Sequence, residues 1–173
     1  ISDRDGSKAE NPENEKFTSF EFGLNYFSGM WTAKVSYYYT QWMDRANSRG
    51  VVLADGSEGI VFLTGLDQLH TGIEFEGAVQ PVNWFRLDLA GSVGNWNYVD
   101  DVSGVYKDYD DPTAPDQQYN YYIRDLKVGD APQTQVALGA SFYPVGGLFL
   151  QGVYRLYMNH SAEFDPFSRT TST

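Results

Sequence analysis

The chain has 173 residues with 23 Asp and Glu against 12 Lys and Arg, and its formal net charge of -11 argues against a phosphate-backbone partner, whose affinity rests on cationic side chains; no nucleic acid is expected. Mean hydropathy is -0.43 and no apolar run approaches the roughly 20 residues of a membrane-spanning helix, which excludes a helical membrane protein but not a transmembrane β-barrel, whose alternating strands average out hydrophilic. The 16% aromatic content and 17 glycines favour strands and turns, and the absence of cysteine removes disulfides and thiolate metal sites.

Residues 1–16 are polar and without period, and read as a loop lead-in; starting at Ile1 with neither Met nor a leader, the chain reads as a mature or excised piece. From Phe17 the pattern changes. Thr18, Phe20, Phe22, Leu24 and Tyr26 fall on one face and Ser19, Glu21, Gly23 and Asn25 on the other, which predicts a strand with one apolar face. After a turn at Ser28-Gly29, Trp31, Ala33, Val35, Tyr37 and Tyr39 alternate with Thr32, Lys34, Ser36, Tyr38 and Thr40, completing a hairpin. A polar segment then runs from Asp44 to about Leu66, interrupted by the short apolar run Gly59 to Leu63, which predicts at most a small loop strand.

The hairpin recurs twice. Thr71, Ile73, Phe75 and Val79 return through Pro81-Val82-Asn83 to Phe85, Leu87, Leu89 and Val93; after a longer polar stretch, from about Val99 to Ala131, Thr134, Val136, Leu138, Ala140 and Phe142 return through Pro144-Val145-Gly146-Gly147 to Leu148, Leu150, Tyr154, Leu156 and Met158. The expected organisation is a lead-in over 1–16, a partial barrel over 17–160 with hairpins at about 17–44, 69–98 and 133–160, and a polar loop over 161–173 without a further strand. Tight turns alternate with loops of roughly 20 and 30 residues, the asymmetry of outer-membrane barrels with short periplasmic turns and long extracellular loops.

Aromatic placement adds two girdles: Tyr26, Phe27, Trp31, Trp84, Phe85, Phe142, Tyr143 and Phe149 near the tight turns, and Tyr37, Tyr39, Trp42, Trp96, Tyr98, Tyr154 and Tyr157 near the long loops. The outward positions between them are mainly aliphatic. The opposite face carries Glu21, Lys34, Glu74, Glu76, Arg86, Asp88 and Arg155, with Gln133, Gln135 and Gln151; a dry core makes such charges costly, whereas a wet lumen solvates or pairs them. The fold class is therefore all-β, an antiparallel up-and-down transmembrane barrel segment of about six strands in three hairpins. Six strands do not close a barrel, the smallest of which has about eight, so the remaining strands are expected from a longer polypeptide.

Three strings carry a family resemblance: Asn14-Glu15-Lys16-Phe17-Thr18-Ser19-Phe20-Glu21-Phe22-Gly23, Gly65-Leu66-Asp67-Gln68-Leu69-His70-Thr71-Gly72-Ile73-Glu74, and Val128-Gly129-Asp130-Ala131-Pro132-Gln133-Thr134-Gln135. They resemble the later barrel strands of TonB-dependent outer-membrane receptors, the Bacteroidetes style most closely, and the similarity runs from about Asn14 to Asp165. The resemblance implies a bacterial outer-membrane protein that imports a scarce solute such as a ferric siderophore or glycan. Its partners would be outer-membrane lipid, the plug and remaining strands of the same receptor, and TonB through an N-terminal region. The family's plug, TonB-contacting box and terminal aromatic strand have no counterpart in these residues.

Of catalytic and cofactor motifs, neither a phosphate-binding GxxxxGK[ST] loop nor HExxH or GxSxG occurs, and no catalytic, metal or cofactor site is expected. His70 and His160 read as polar rim residues; His160 beside Ser161 lacks an assignable third group. Asp100, Asp101, Asp108, Asp110 and Asp111 read as a solvated acidic loop, with a hard-cation site as the sharper alternative. The remaining ligand candidates are Tyr106, Tyr109, Tyr119, Tyr121 and Tyr122 with Arg124, whose flat faces and polar tips suit either gripping a solute or packing the loops together. The preferred reading is the barrel portion of a TonB-dependent transporter, with a passive porin or structural barrel and a soluble β-rich carbohydrate-binding module as alternatives.

Overall fold

Period-two alternation commits a chain to strands, and the tight turns commit those strands to antiparallel neighbours. The computed structural model describes residues 14–53, 56–108, 111, 113–162, 164 and 170–171. Its strands are β1 (Lys16–Phe27), β2 (Trp31–Val52), β3 (Glu58–Val82), β4 (Phe85–Tyr98), β5 (Val102–Asp108), β6 (Gln117–Tyr121), β7 (Pro132–Phe142), β8 (Leu150–His160) and β9 (Thr170–Thr171). The order β1-β2-β3-β4-β7-β8 is an antiparallel meander, as expected for a barrel segment, and it is open: β1 and β8 each pair on one side only among the described residues.

The turns at one end are short. Ser28 donates its backbone N–H to the Trp31 carbonyl (2.8 Å), Val82 faces Phe85 across Asn83 and Trp84, and Leu148 donates to the Val145 carbonyl (3.1 Å) around Gly147 at φ 84°. Cross-strand register then fixes the faces. Leu24, Val35, Phe75, Gly91, Val136 and Leu156 lie in one row, and Tyr26, Ala33, Gly77, Leu89, Leu138 and Tyr154 in the row below. Side chains of this face stand in the open, Phe20 61%, Phe22 60% and Leu24 67% exposed. An apolar surface of that extent is matched to lipid rather than water.

At the other end the structure departs from the sequence expectation. The segment 44–66 is not a polar loop with a short strand: β2 and β3 continue through it as one long hairpin, Val52 facing Glu58, so that β3 alone has 25 residues. At about 3.3 Å per residue that strand is roughly 80 Å long, some three times the apolar band of a barrel. Two compensating irregularities hide this from a periodicity reading. Between Trp42 and Arg45 an extra residue enters β2 beside Asp44 (φ 58°), and between Arg45 and Asn47 an extra residue enters β3 at Gly65 (φ 73°). Each bulge switches side-chain parity, so Gln68 and Leu66 below Gly65 share a face with Leu63 and Val61 above it.

The stretch 99–131 is likewise folded. β5 pairs with the upper half of β3 from Gly59↔Asp108 to Leu63↔Gly104, β6 pairs with β5, and β9, in the tail expected to lack a strand, pairs with β6 at Tyr121↔Thr170. These elements enclose the chain's buried apolar core: Val61, Leu63, Leu66, Tyr98, Val102, Tyr106, Tyr121, Ile123 and Val128. The core thus sits beyond the transmembrane rows, because there the strands meet water on both sides and must bury apolar surface against one another, whereas in the membrane lipid covers it.

Candidate functional site

The face opposite the apolar rows gathers the charges. Register places Glu21 beside Tyr38, Lys34 between Asn25 and Glu76, Ser36 beside Glu74, Asp88 beside Ala78, Arg86 beside Ser141, and Arg155 beside Ala137, all on one side of the sheet. Towards the tight turns Arg86 forks onto Asp88, its Nε donating at 2.9 and 3.1 Å and its Nη2 at 2.6 Å. Both side chains remain nearly two-fifths exposed, so the pair orients polar groups more than it stabilises the fold. A concavity of about 360 Å³ opens here, lined by Lys34, Glu76, Arg86, Asp88 and Gln151 among others.

Towards the long loops the same face becomes aromatic. Trp42, Trp96 and Tyr98 were expected in the outer girdle beside Tyr37 and Tyr39, but register pairs Trp42 with Gln68 and Phe17, Trp96 with His70, and Tyr98 with Gln68, all on the polar face; Tyr157, facing Gln135, joins them there. Their parity is the physical reason: Trp42 is two residues from Thr40 and Trp96 is four from Ser92, both inward positions. The outer girdle at this end keeps Tyr37 and Tyr39, whereas Tyr154, expected with them, lies in the row of Tyr26 and Leu138 nearer the tight turns.

The rings interlock. Trp96 Nε1 donates to the Tyr38 hydroxyl at 2.8 Å, and its indole stacks on His70 at 5.2 Å between centroids. His70 Nε2 lies 3.1 Å from Gln68 Oε1. Trp42 meets Phe17 edge-on at 6.2 Å, donates its Nε1 to Glu15 Oε2 at 2.8 Å, and carries the Arg45 guanidinium 4.5 Å above its ring. Bare backbone makes room for this cluster: a Cβ on Gly72 would stand 2.6 Å from Tyr38 Cζ, and one on Gly94 2.7 Å from Trp96 Nε1. Phe17, Tyr38, Thr40, Trp42, His70, Glu74 and Trp96 line a second concavity of about 300 Å³.

The loop residues singled out for ligand contact separate into groups. Tyr106 and Tyr121 are 1% and 0% exposed in the loop core, each ring packed over a glycine, Tyr106 over Gly59 and Tyr121 over Gly104. Burial gives these two the packing role. Burial, reinforced by the neighbouring Tyr119, pushes the Tyr121 hydroxyl up to about 12, and that hydroxyl has no hydrogen-bond partner among the described residues. Tyr119 is half-buried and donates to Gln117 Oε1 at 2.6 Å, while Tyr122 is exposed. Arg124 is exposed too, its Nη2 donating to Asp100 Oδ1 at 2.7 Å and its backbone N–H to Asp101 Oδ1 at 2.9 Å. Tyr109 lies outside the described residues.

Three further expectations concern polar groups. Asp100 and Asp101 hold Arg124, and Asp111 caps its own turn by accepting from the Thr113 N–H (2.9 Å) and hydroxyl (2.7 Å), so these carboxylates organise the loop; Asp110 lies outside the described residues. His160 ends β8 exposed, opposite Pro132. Gln133, expected simply on the polar face, is buried and acts as a clamp: it accepts from the Trp96 N–H at 3.1 Å and donates to the Trp96 and Val128 carbonyls at 3.0 and 3.4 Å, tying the loop module to β4.

Sequence reading missed the cluster around Tyr38. The signal was present in parity, since Tyr38, Thr40 and Trp42 alternate with the lipid-side Tyr37 and Tyr39. Comparison with protein families matches residues 5–171 to the one described as TonB dependent receptor-like, beta-barrel. No curated protein and no solved structure matches.

Proposed function

Because this chain belongs to the TonB-dependent receptor β-barrel family, we propose that it forms part of the wall of an outer-membrane transporter that imports a scarce solute with energy relayed by TonB. Membership of this family supports transport at the outer membrane of Gram-negative bacteria over the soluble carbohydrate-binding alternative. On this reading Glu21, Lys34, Glu74, Glu76, Arg86, Asp88 and Arg155 face the lumen, and the solute passes along them. The observation that supports it is the continuous register across six strands, which keeps every one of these charges on the face opposite Leu24, Val35, Leu89, Leu138 and Leu156. The open edges of β1 and β8 then pair with other strands of the same receptor, since an unpaired edge in lipid costs several kcal/mol per polar group. Tyr119, Tyr122 and Arg124 remain the loop residues placed to meet an arriving solute, and a plug and TonB-contacting segment complete the machine.

A passive porin shares the wall but lacks a plug. The complete protein, reconstituted in a planar bilayer with potassium chloride as the probe, separates the two. A plugged transporter conducts no steady current, and its gene encodes roughly a hundred or more residues of plug before the barrel. Steady open-channel current from the complete protein, with no plug encoded, would overturn the transporter reading.

A further inference from the structure

Resting on the reading of the polar face as lumen wall, we propose that the loop-side end of this wall carries a binding site for organic cations, an ammonium or guanidinium group on an apolar body, built from the rings of Phe17, Tyr38 and Trp42 and the Glu74 carboxylate. The concavity they line, about 300 Å³, is at the lower end of small-ligand sites. Three aromatic rings line it, and the negative quadrupole of an aromatic face attracts cations.

The polar groups around the concavity point the same way. Both indole N–H groups are already committed, Trp42 to Glu15 and Trp96 to Tyr38, and the Thr40 hydroxyl is paired with Ser19 Oγ at 2.8 Å. Glu74, by contrast, makes no hydrogen bond or ion pair among the described residues, and faces the small, buried Ser36 across the ladder. Beside the Tyr38 hydroxyl and the His70 ring the wall is poor in donors, and it offers an unmatched anionic acceptor. An anion meets that carboxylate as a like charge, and a neutral solute leaves it uncompensated.

The structure also contains an internal precedent, for the Arg45 guanidinium lies 4.5 Å over the Trp42 ring. The other basic side chains on this face are His70, stacked on Trp96, and, lower down, Lys34 opposite Glu76, Arg86 forked onto Asp88 and Arg155 beside Ala137. Above the wall, the described residues of the stretch 99–131 include seven Asp against three Lys or Arg, which concentrates negative charge where a solute would enter. A mouth of one sign raises the local concentration of oppositely charged solutes and speeds their arrival.

The test uses the complete receptor in detergent, with choline as the probe and 3,3-dimethyl-1-butanol, of the same shape without the charge, as its control, both titrated calorimetrically. Choline is expected to bind at least about tenfold tighter than the alcohol. Glu74→Gln should cost choline about tenfold or more and leave the alcohol unchanged, while Arg45→Gln, which clears one face of Trp42, should tighten choline several-fold. Equal binding of the two probes, indifference of choline to Glu74→Gln, or no choline binding by the folded receptor each overturns the cation site. None of these outcomes bears on the bilayer current, so the site and the transporter reading fail separately.

Discussion

The Tyr38 ring lies across the bare backbone of Gly72, its direct cross-strand partner on the polar face, with Gly94 one strand further on completing the slot. A glycine inside a strand loses side-chain packing, and a neighbouring aromatic ring covering it restores the contact. The same device recurs where Phe75 covers Gly91 on the apolar face and where Tyr106 covers Gly59 in the loop core.

Gly72→Ala is therefore expected to destabilise the receptor by about 1 to 3 kcal/mol, because the new methyl meets Tyr38 Cζ and, at 2.7 Å, the Val93 carbonyl. Tyr38→Ala in the same chain should relieve part of that cost, leaving the clash with backbone. Gly77→Ala, on the same strand, meets only the Thr32 carbonyl at 3.6 Å and should stay within about 0.5 kcal/mol of the parent. Urea unfolding of the complete receptor in detergent reads all of these, and equal effects at Gly72 and Gly77 would refute the ring-over-glycine account.

The two faces make opposite demands on a new charge. Leu138, in the row with Leu89 and Tyr154, should resist substitution by Lys by roughly 2 to 4 kcal/mol, while Gln135→Lys on the polar face should assemble nearly as the parent does. The fraction of receptor reaching a folded, heat-modifiable form in outer membranes measures this. Equal tolerance at both positions would abolish the inside-outside assignment.

Gly65 holds the bulge that returns Leu63 and Val61 to the inner face, at a φ of 73° that a branched side chain adopts only with strain. Gly65→Val should cost about 1 to 2 kcal/mol or more, confined to the loop module. Amide exchange at Val61 and Leu63 is expected to quicken while Ile73 and Phe75, lower on the same strand, keep their protection. Uniform loosening of the whole of β3 would contradict a locally stored parity switch.

Burial holds the Tyr121 hydroxyl neutral up to about 12, whereas in an unfolded chain it ionises near 10. Below the unfolded value both states are protonated and the loop core has its full stability. As pH rises from about 10 to about 12 the unfolded chain releases its proton first, and up to roughly 2 to 3 kcal/mol is lost. Tyr121→Phe should abolish that alkaline loss and be neutral or slightly stabilising near neutral pH, since it removes a buried hydroxyl that lacks a hydrogen-bond partner among the described residues. Denaturant midpoints of the loop module at about pH 8 and about pH 11, parent against variant, decide it.

The transmembrane rows were legible in the sequence because each depends on one strand's own alternation. Phe20, Phe22 and Leu24 declare a lipid-facing row whatever stands beside them, and the tight turns at Ser28-Gly29 and Gly146-Gly147 bring the partner strand alongside. The same rule, applied by parity, assigns Trp42 and Trp96 to the inner face, where nearness to the loops had suggested the girdle. Parity fails only where a bulge shifts it, and the shifts beside Asp44 and Gly65 hid the upper halves of β2 and β3 inside what read as a loop.

Composition, period and turn chemistry by themselves determined the class of protein, the number of transmembrane strands in the meander, and which side chains share each face. Only the tertiary structure decided what the long segments do. Val61 meets Tyr106 and Tyr121 through pairings that join β3 to β5 and β5 to β6, far apart in the chain, so no local pattern announces a core there. Tyrosines equally suited to gripping a solute or to packing are sorted by burial alone, which depends on what the rest of the chain places around them. The cluster of Phe17, Tyr38, Trp42 and Glu74 is likewise a product of register, since three strands must be aligned before four residues can line one cavity.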